Sequence, residues 1–141
     1  MTMNPKLPEA FVSRMKRQLG NELPAFLDSL EEESVRGIRL NTLKDTEAAA
    51  AYRNMPRIPW APEAYELPAD SDAGSTILHE AGAFYLQEPG AMMPASVLDA
   101  KPGETVLDLC AAPGGKSTQI GISMRGEGLL VCNEHVPKRA R

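Results

Sequence analysis

The stretch TVLDLCAAPGGKST, residues 105–118, decides the fold. Its first five residues form a β-branched and apolar run, which is typical of a buried parallel strand. Small residues and two glycines follow, and a helix of about two turns is expected from Ser117 to Met124. A second apolar run, Leu129–Cys132, predicts a second strand. The order strand, loop, helix and strand predicts the opening of a doubly wound α/β sheet.

The residues before this sheet predict a small α-rich module. Apolar residues recur every four positions near the start of the chain, which is the spacing of an amphipathic helix. They are Leu7, Phe11, Met15 and Leu19. A second helix is expected after Pro24, and the alternation of apolar and polar residues over Gly37–Thr42 predicts a short strand.

A turn-rich linker, Asp70–Ser75, suggests a domain boundary near residue 75. We therefore expect an N-terminal domain over residues 1–75 and a second, incomplete domain over residues 76–141. The segment from His79 to Asp99 is expected to be mostly helical, with Pro89 in a first turn. Four apolar side chains of this segment are expected to face a core: Met92, Met93, Val97 and Leu98. A last helix is expected after Pro137.

Composition excludes several classes of protein. Fifteen Lys and Arg against nineteen Asp and Glu give a net charge of −4, so a histone-like basic binder is excluded. No apolar run approaches the roughly 18 residues of a membrane helix. Two cysteines and two histidines predict neither a disulfide framework nor a zinc site, and they favour a reducing cytoplasm. We expect no metal and no membrane contact.

Positive charge is concentrated in the N-terminal module, where it could contact RNA phosphates or simply solvate a helix face. The candidate cations are Arg14, Lys16, Arg17 and Arg39, with Arg36, Lys44, Arg53 and Arg57 as further members. Trp60 and Tyr65 could stack on a base, but packing within the small domain is the favoured interpretation.

The loop after the first strand is suited to a nucleotide-like cofactor. A strand that ends in small residues before a helix lets the backbone approach a ligand and directs N–H groups toward it. Gly115-Lys116-Ser117 matches the end of a P-loop, but Cys110 occupies the position of its first glycine. The dinucleotide pattern GxGxxG is absent. S-adenosylmethionine, which carries no phosphate, needs an acid for its ribose, and Glu134 follows the second strand where that acid is expected.

The motif VLDLCAAPGGKSTQ resembles the cofactor loop of the Sun-type (Fmu-like) RNA cytosine-5 methyltransferases. Residues 39–42, RLNT, are similar to the family's R-x-N-T element. Residues 85–92, YLQEPGAM, are similar to its Y-x-Q-E-P-S-A-M segment, with Gly90 in place of the usual serine. The N-terminal segment LPEAFVSRMKRQLG resembles the bacterial subgroup that acts on small-subunit ribosomal RNA.

This resemblance implies an α-rich RNA-docking domain followed by the start of a class I, Rossmann-like methyltransferase fold, interrupted after its second strand. It implies S-adenosyl-L-methionine as the cofactor and RNA as the partner, ribosomal RNA first and transfer RNA as the alternative. The implied cofactor residues are Cys110, Ala111, Ala112, Pro113, Gly114, Gly115, Lys116 and Glu134. Asp108 is expected to brace the loop through backbone hydrogen bonds.

The resemblance places the chemistry outside this sequence. The family uses two cysteines, one that attacks C6 of cytosine and one that assists release, and both are expected beyond Arg141. Cys110 belongs to the loop, and Cys132 is expected to be buried in a strand as a small apolar residue. We therefore expect the 141 residues to be the N-terminal part of a longer cytosine methyltransferase, inactive alone. A non-catalytic RNA-binding fragment is the alternative, and a P-loop nucleotide-binding protein is a further one.

Overall fold

The computed structural model describes residues 7–44 and 47–140. The helices α1 to α6 of this part of the chain span Glu9–Leu19, Leu23–Ser29, Glu47–Ala50, Ile77–Glu80, Pro89–Leu98 and Gly115–Met124. The strands β1 to β5 span Arg36–Leu40, Ala64–Leu67, Phe84–Leu86, Thr105–Asp108 and Leu129–Cys132. The chain divides into two compact units, and the division falls between Ser34 and Val35. Within the described residues, no helix is both long and apolar enough to cross a membrane.

The first unit contains α1 and α2, which confirm the two predicted N-terminal helices. Gly20 follows α1 with a positive φ of 53°, a conformation that glycine adopts without steric cost. The rings of Phe11 and Phe26 pack with their centroids 6.3 Å apart. No residue of α1 or α2 is buried, and the cations of α1 are exposed: Arg14, Lys16 and Arg17.

The second unit begins with an antiparallel sheet in the order β2-β1-β3. The short strand expected over Gly37–Thr42 is confirmed as its central member, β1. Ile38 lies opposite Tyr65 on one side and Leu86 on the other. Tyr65 and Ile38 are almost completely buried. The favoured interpretation that Tyr65 packs within the protein is therefore confirmed.

The prediction of a mostly helical segment from His79 to Asp99 is wrong in its middle. Phe84–Leu86 forms β3, because its backbone pairs with β1 more than 40 residues earlier in the sequence. The strand β2 was not predicted at all, since prolines flank it and its pairing partners in β1 lie 25 to 31 residues earlier in the sequence. The domain boundary near residue 75 stays a prediction. β3 follows that boundary in sequence and pairs with a strand that precedes it.

The other sheet joins β4 and β5 in parallel, with Val106 opposite Leu130, as the sequence predicted. Helices α5 and α6 cover one of its faces. The core there contains Ala95, Ala100, Val106, Ile120 and Met124. The opposite face exposes Leu107, Leu129 and Val131. The two strands are therefore less buried than the sequence predicted. Cys132, which was expected to be buried, is exposed.

Helix α5 faces the core with fewer residues than expected. Pro89 begins the helix, as predicted, and Met92 is completely buried. Met93, Val97 and Leu98 are exposed, which corrects the expectation that they face a core. After Pro137 the backbone forms a hydrogen-bonded turn in place of the expected helix.

Arg39 connects the antiparallel sheet to α6, and this corrects its assignment as an RNA contact. The residue is only 3% exposed, so its charge is not available to an outside phosphate. Its Nη2 donates hydrogen bonds to the carbonyl of Gly115 at 3.1 Å and to the hydroxyl of Thr118 at 2.9 Å. Its Nε donates a longer bond of 3.5 Å to Gln87. The guanidinium therefore fixes the first turn of α6 against β1.

Burial lowers the pKa of Arg39 to about 10, and the interaction with Tyr85 opposes that shift. The guanidinium lies 5.8 Å from the centre of the Tyr85 ring, within the range of a cation–π contact. A buried cation is tolerated when its donors are satisfied, and Arg39 meets this condition with carbonyl, hydroxyl and amide acceptors.

We predict that Arg39→Lys lowers the free energy of unfolding by about 2 kcal/mol, because an ammonium cannot donate in the planar directions of the guanidinium. Urea denaturation followed by circular dichroism measures this change. Arg14→Lys on exposed α1 is the matched control and should shift stability by less than about 0.5 kcal/mol. An Arg39→Lys variant as stable as the wild type would contradict the bridging role.

Candidate functional site

The loop between β4 and α6 is closed at its base by Asp108. One carboxylate oxygen, Oδ1, accepts the N–H of Cys110 at 3.1 Å, which confirms the expected backbone brace. The other, Oδ2, accepts the hydroxyl of Ser117 at 2.6 Å. Both Asp108 and Ser117 are buried. A single carboxylate therefore ties the end of the strand to the first turn of the helix.

The two glycines of the loop serve different purposes. Gly114 has a φ of 107°, a left-handed conformation in which a side chain would be strained, and a Cβ there would meet only Thr118, at 4.0 Å. Gly115 is limited by packing, because a Cβ would lie 3.1–3.2 Å from atoms of Gln87 and Tyr85. Gly114 thus permits the left-handed turn that leads into α6, and Gly115 lets α6 approach the antiparallel sheet.

Tyr85 supports the outer part of the loop. Its hydroxyl donates a hydrogen bond of 3.1 Å to the carbonyl of Pro113. Its neighbour Gln87 donates to the carbonyl of Ala91 at 2.9 Å, within the first turn of α5. Glu88 caps the same helix, since its carboxylate accepts the N–H groups of Gly90 and Ala91 at 2.7 and 2.9 Å. The segment that resembles the family's Y-x-Q-E-P element therefore holds both the loop and α5.

Glu134 follows β5 and lies beside the loop. Its Oε2 accepts the N–H of Ala112 at 3.3 Å, and its Oε1 accepts the N–H of Val136 at 2.8 Å. The side chain is 9% exposed, and Arg139 Nη1 lies 3.9 Å from Oε2. The structure thus brings Glu134 together with the loop, as the sequence predicted from two separate strand ends.

The pKa of Glu134 lies below its ordinary value of 4.5. The hydrogen bond from the Val136 N–H is the largest cause. Desolvation opposes the shift, and the Ala112 N–H, Arg139 and His135 add smaller contributions that lower the pKa. The side chain is therefore ionised at neutral pH and can accept hydrogen bonds from hydroxyl groups.

Two residues near the loop were missed by sequence reasoning. Arg139 donates a hydrogen bond of 2.9 Å to the carbonyl of Ala112, and Asn133 donates one of 3.1 Å to the carbonyl of Leu109. Arg139 lies in the segment assigned to a helix, and a turn places it here instead. Asn133 directly precedes Glu134, so its position after a strand could have identified it as a second polar residue at the same edge.

The predicted loop residues differ in exposure. Gly115 is buried, Ala111, Ala112, Gly114, Lys116 and Glu134 are half-buried, and Cys110 and Pro113 are exposed. Because small side chains line the loop and the first N–H groups of α6 have no acceptor within the helix, a polar ligand can approach the backbone closely. Glu134 has lone pairs beyond those used by its two N–H donors. The donor and acceptor set therefore fits a nucleoside with free ribose hydroxyls. Among the described residues no group of His, Cys, Asp or Glu could hold a metal ion.

The parallel strands, the small-residue loop and the acid after the second strand define the opening of a Rossmann-like methyltransferase domain. The model of the N-terminal domain of 16S rRNA methyltransferase RsmF matches residues 7–89. The model of 16S rRNA methyltransferase RsmB/F matches residues 95–141. The chain therefore belongs to the family of 16S rRNA methyltransferase RsmF.

Individual relatives agree with this assignment. Ribosomal RNA small subunit methyltransferase F of Vibrio campbellii is 35% identical over all of this chain and 32% of its own length. The protein of the same name from Escherichia coli O127:H6 is 34% identical over 95% of this chain and 31% of its own length. A crystal structure of a methyltransferase homologue from Pyrococcus horikoshii superposes with a TM-score of 0.79 at 30% identity, over 96% of this chain and 47% of that one. The chain thus spans about a third of the length of these curated relatives.

We predict that Glu134→Gln flattens the loss of stability at acidic pH. Since the folded pKa of Glu134 lies below 4.5, its contribution to stability is complete above that pH and is lost as the pH falls through the folded pKa. Urea denaturation between pH 6 and pH 3 should therefore show a steeper acid loss in the wild type than in the variant. Glu127→Gln, which changes an exposed carboxylate, is the control and should follow the wild-type curve. If the stability of the wild type and of Glu134→Gln falls equally with pH, the hydrogen bonds of this carboxylate do not stabilise the folded state.

Proposed function

We propose that this chain is the cofactor-loop portion of an S-adenosylmethionine-dependent RNA cytosine-5 methyltransferase that acts on small-subunit ribosomal RNA. The observation that carries the proposal is the approach of the ionised Glu134 to the loop, where its carboxylate accepts the Ala112 N–H at 3.3 Å. Membership of the 16S rRNA methyltransferase family supports the reaction class and the RNA substrate. A ribosomal RNA substrate would place the protein in the cytoplasm.

In this proposal the loop and Glu134 share the binding of the cofactor. The backbone of Cys110–Lys116 surrounds the methionine and ribose portions, and Glu134 accepts hydrogen bonds from the ribose hydroxyls. Asp108, Ser117 and Tyr85 hold the loop in shape, as their hydrogen bonds to the loop and its flanks indicate. The cofactor supplies the methyl group that is transferred to C5 of cytosine.

We assign no catalytic residue within this chain. Cys110 is exposed within the loop and Cys132 is exposed at the end of β5, and each belongs to the elements that form the cofactor site. The nucleophilic cysteine and the releasing cysteine implied by the family resemblance are proposed to lie beyond Arg141. The 141 residues alone should then transfer no methyl group, and turnover by them would refute this assignment.

RNA docking is proposed for the exposed basic face of α1. Arg14, Lys16 and Arg17 are all exposed there, so each ammonium or guanidinium is accessible to a phosphate. Arg39 is left out of the proposed contacts because it is buried. Ribosomal RNA is the proposed substrate, and transfer RNA is the alternative partner that a binding experiment would detect.

We predict that Glu134→Ala weakens S-adenosylmethionine binding roughly tenfold to a hundredfold, because the variant loses hydrogen bonds to a charged acceptor. Isothermal titration calorimetry on the protein produced from its complete reading frame measures the dissociation constant. Glu127→Ala removes an exposed carboxylate from the turn before β5 and should leave binding unchanged. Equal affinity of the wild type and Glu134→Ala would remove Glu134 from the site.

We also predict that the double variant Arg14→Gln/Arg17→Gln binds 16S rRNA fragments less tightly and with a weaker salt dependence. Two lost contacts to single-stranded phosphates should reduce the slope of log K against log salt by about 1.4. Filter binding between 50 and 300 mM salt measures that slope. Lys138→Gln removes one positive charge elsewhere on the surface and serves as the control. A slope change in Lys138→Gln of half the size seen in the double variant would indicate a general charge effect in place of docking by α1.

A further inference from the structure

A cavity of the structure lies outside the cofactor loop. We call it the Trp60 groove, a cavity of about 480 Å³ whose walls include Arg57, Trp60, Gln119, Ser123 and Arg125. This volume falls in the range of roughly 300–1,000 Å³ that is typical of small-ligand sites. All of its lining residues belong to the compact unit that begins at Val35.

The position of the groove separates it from the cofactor site. Arg125 follows the last turn of α6, whereas the loop leads into its first turn at Gly115. The groove follows α6 from Gln119 in its middle to Arg125 at its carboxyl end, and its wall also includes Arg39, which donates a hydrogen bond to the carbonyl of Gly115. No residue from Cys110 to Lys116 lines the groove. A ligand of the groove is therefore additional to the cofactor.

Trp60 offers a fixed aromatic surface in this groove. Its Nε1 donates a hydrogen bond of 2.9 Å to the carbonyl of Pro89, which fixes the orientation of the indole. The side chain nevertheless remains 41% exposed, so the ring is only partly covered by protein. An anchored but accessible indole is the kind of surface on which nucleobases stack, with a typical contribution of about 1–3 kcal/mol per base.

The groove also carries positive charge that no carboxylate neutralises. Its acidic members are engaged elsewhere, Glu63 with Arg53 at 2.9 Å and Asp99 with Lys101 at 2.6 Å. Within the described part of the chain, neither Arg57 nor Arg125 has an ion-pair partner. Arg57 lies over the ring of Tyr65, with 5.8 Å between the guanidinium carbon and the ring centre. Both guanidinium groups can therefore donate hydrogen bonds to a phosphate.

Gln119, which lines the groove, has an amide oxygen without a hydrogen-bond donor among the described residues. The residue is 6% exposed, and its Nε2 is held by the carbonyl of Met92 at 3.1 Å and the hydroxyl of Ser96 at 3.0 Å. These two acceptors fix the orientation of the amide, and its buried Oε1 has no hydrogen-bond partner among the described residues. A buried acceptor without a partner is costly, and a ligand or a bound water usually satisfies it.

We infer that the Trp60 groove binds one nucleotide of single-stranded RNA whose base carries an exocyclic amine. The base stacks on Trp60, the amine donates to Gln119 Oε1, and Arg57 and Arg125 bind the flanking phosphates. Cytosine, adenine and guanine supply such an amine, and uracil, whose exocyclic groups are both carbonyls, does not. The inference rests on the proposed RNA substrate and adds a subsite that holds the strand beside the target nucleotide.

Trp60 itself reports on this binding, because it is the only tryptophan in the 141 residues. Its fluorescence is titrated with cytidine 5′-monophosphate, uridine 5′-monophosphate, ribose 5-phosphate and a hexamer of cytidylate. We expect quenching by the cytidine ligands, roughly tenfold weaker binding of the uridine ligand, and no quenching by ribose 5-phosphate. The hexamer should bind more tightly than the monophosphate, since it presents phosphates on both sides of the base.

Variants test the charge separately. Arg125→Asn should weaken hexamer binding roughly fivefold, and asparagine tolerates the left-handed backbone of this position, where φ is 54°. Lys138→Asn removes the same charge outside the groove and should leave hexamer binding unchanged. Equal weakening by both variants would refute a specific phosphate contact at Arg125.

The remaining outcomes also decide the inference. Equal binding of cytidine and uridine ligands would refute the contact with Gln119 and leave a bound water as its partner. Quenching by the monophosphate without tighter hexamer binding would identify a free nucleotide in place of RNA, and absence of quenching by every ligand would overturn the site. Because S-adenosylmethionine binding is measured separately through Glu134, the groove can fail while the proposed function stands, and the reverse also holds.

Discussion

The buried guanidinium of Arg39 is the interaction on which the arrangement of this unit depends. It links the central strand β1 to the first turn of α6 through Gly115 and Thr118. Because α6 also packs on β4 and β5 through Ile120 and Met124, fixing its first turn positions the second sheet relative to the first. A buried charge of this kind has few alternative partners, so it specifies one arrangement more strongly than an apolar contact would.

In the proposals above, helix α6 contributes to two sites at different points along its length. Its amino end carries backbone N–H groups and favours electron-rich ligand atoms, which suits a loop that holds a nucleoside. Its carboxyl end favours cations, and Arg125, which directly follows that end, lines the Trp60 groove together with Gln119 from the middle of the helix. One rigid helix of ten residues thus sets the separation between the cofactor loop and the groove.

The sequence was most informative where structure is local. The segment from β4 through the loop to β5 was predicted closely, because a buried strand, a glycine turn and a helix are each encoded by neighbouring residues. The strands β2 and β3 were missed because each pairs with β1, which is distant in the sequence. For the same reason Arg39 was taken for an exposed cation, since nothing in its neighbours indicates that Gly115 and Thr118 surround it. Asp108 was predicted, and its second partner Ser117 was not.

Glu134 illustrates how one carboxylate can hold a loop and still receive a ligand. Its shorter hydrogen bond, 2.8 Å, goes to Val136 on its own segment, and its longer contacts are directed to the loop and Arg139. A ribose hydroxyl that approaches Oε2 could therefore use a lone pair beside the Ala112 N–H at 3.3 Å and the Arg139 guanidinium at 3.9 Å, while the bond that fixes the side chain remains intact. The geometry keeps the acid oriented and ionised before any ligand arrives, so binding needs little reorganisation of this side chain.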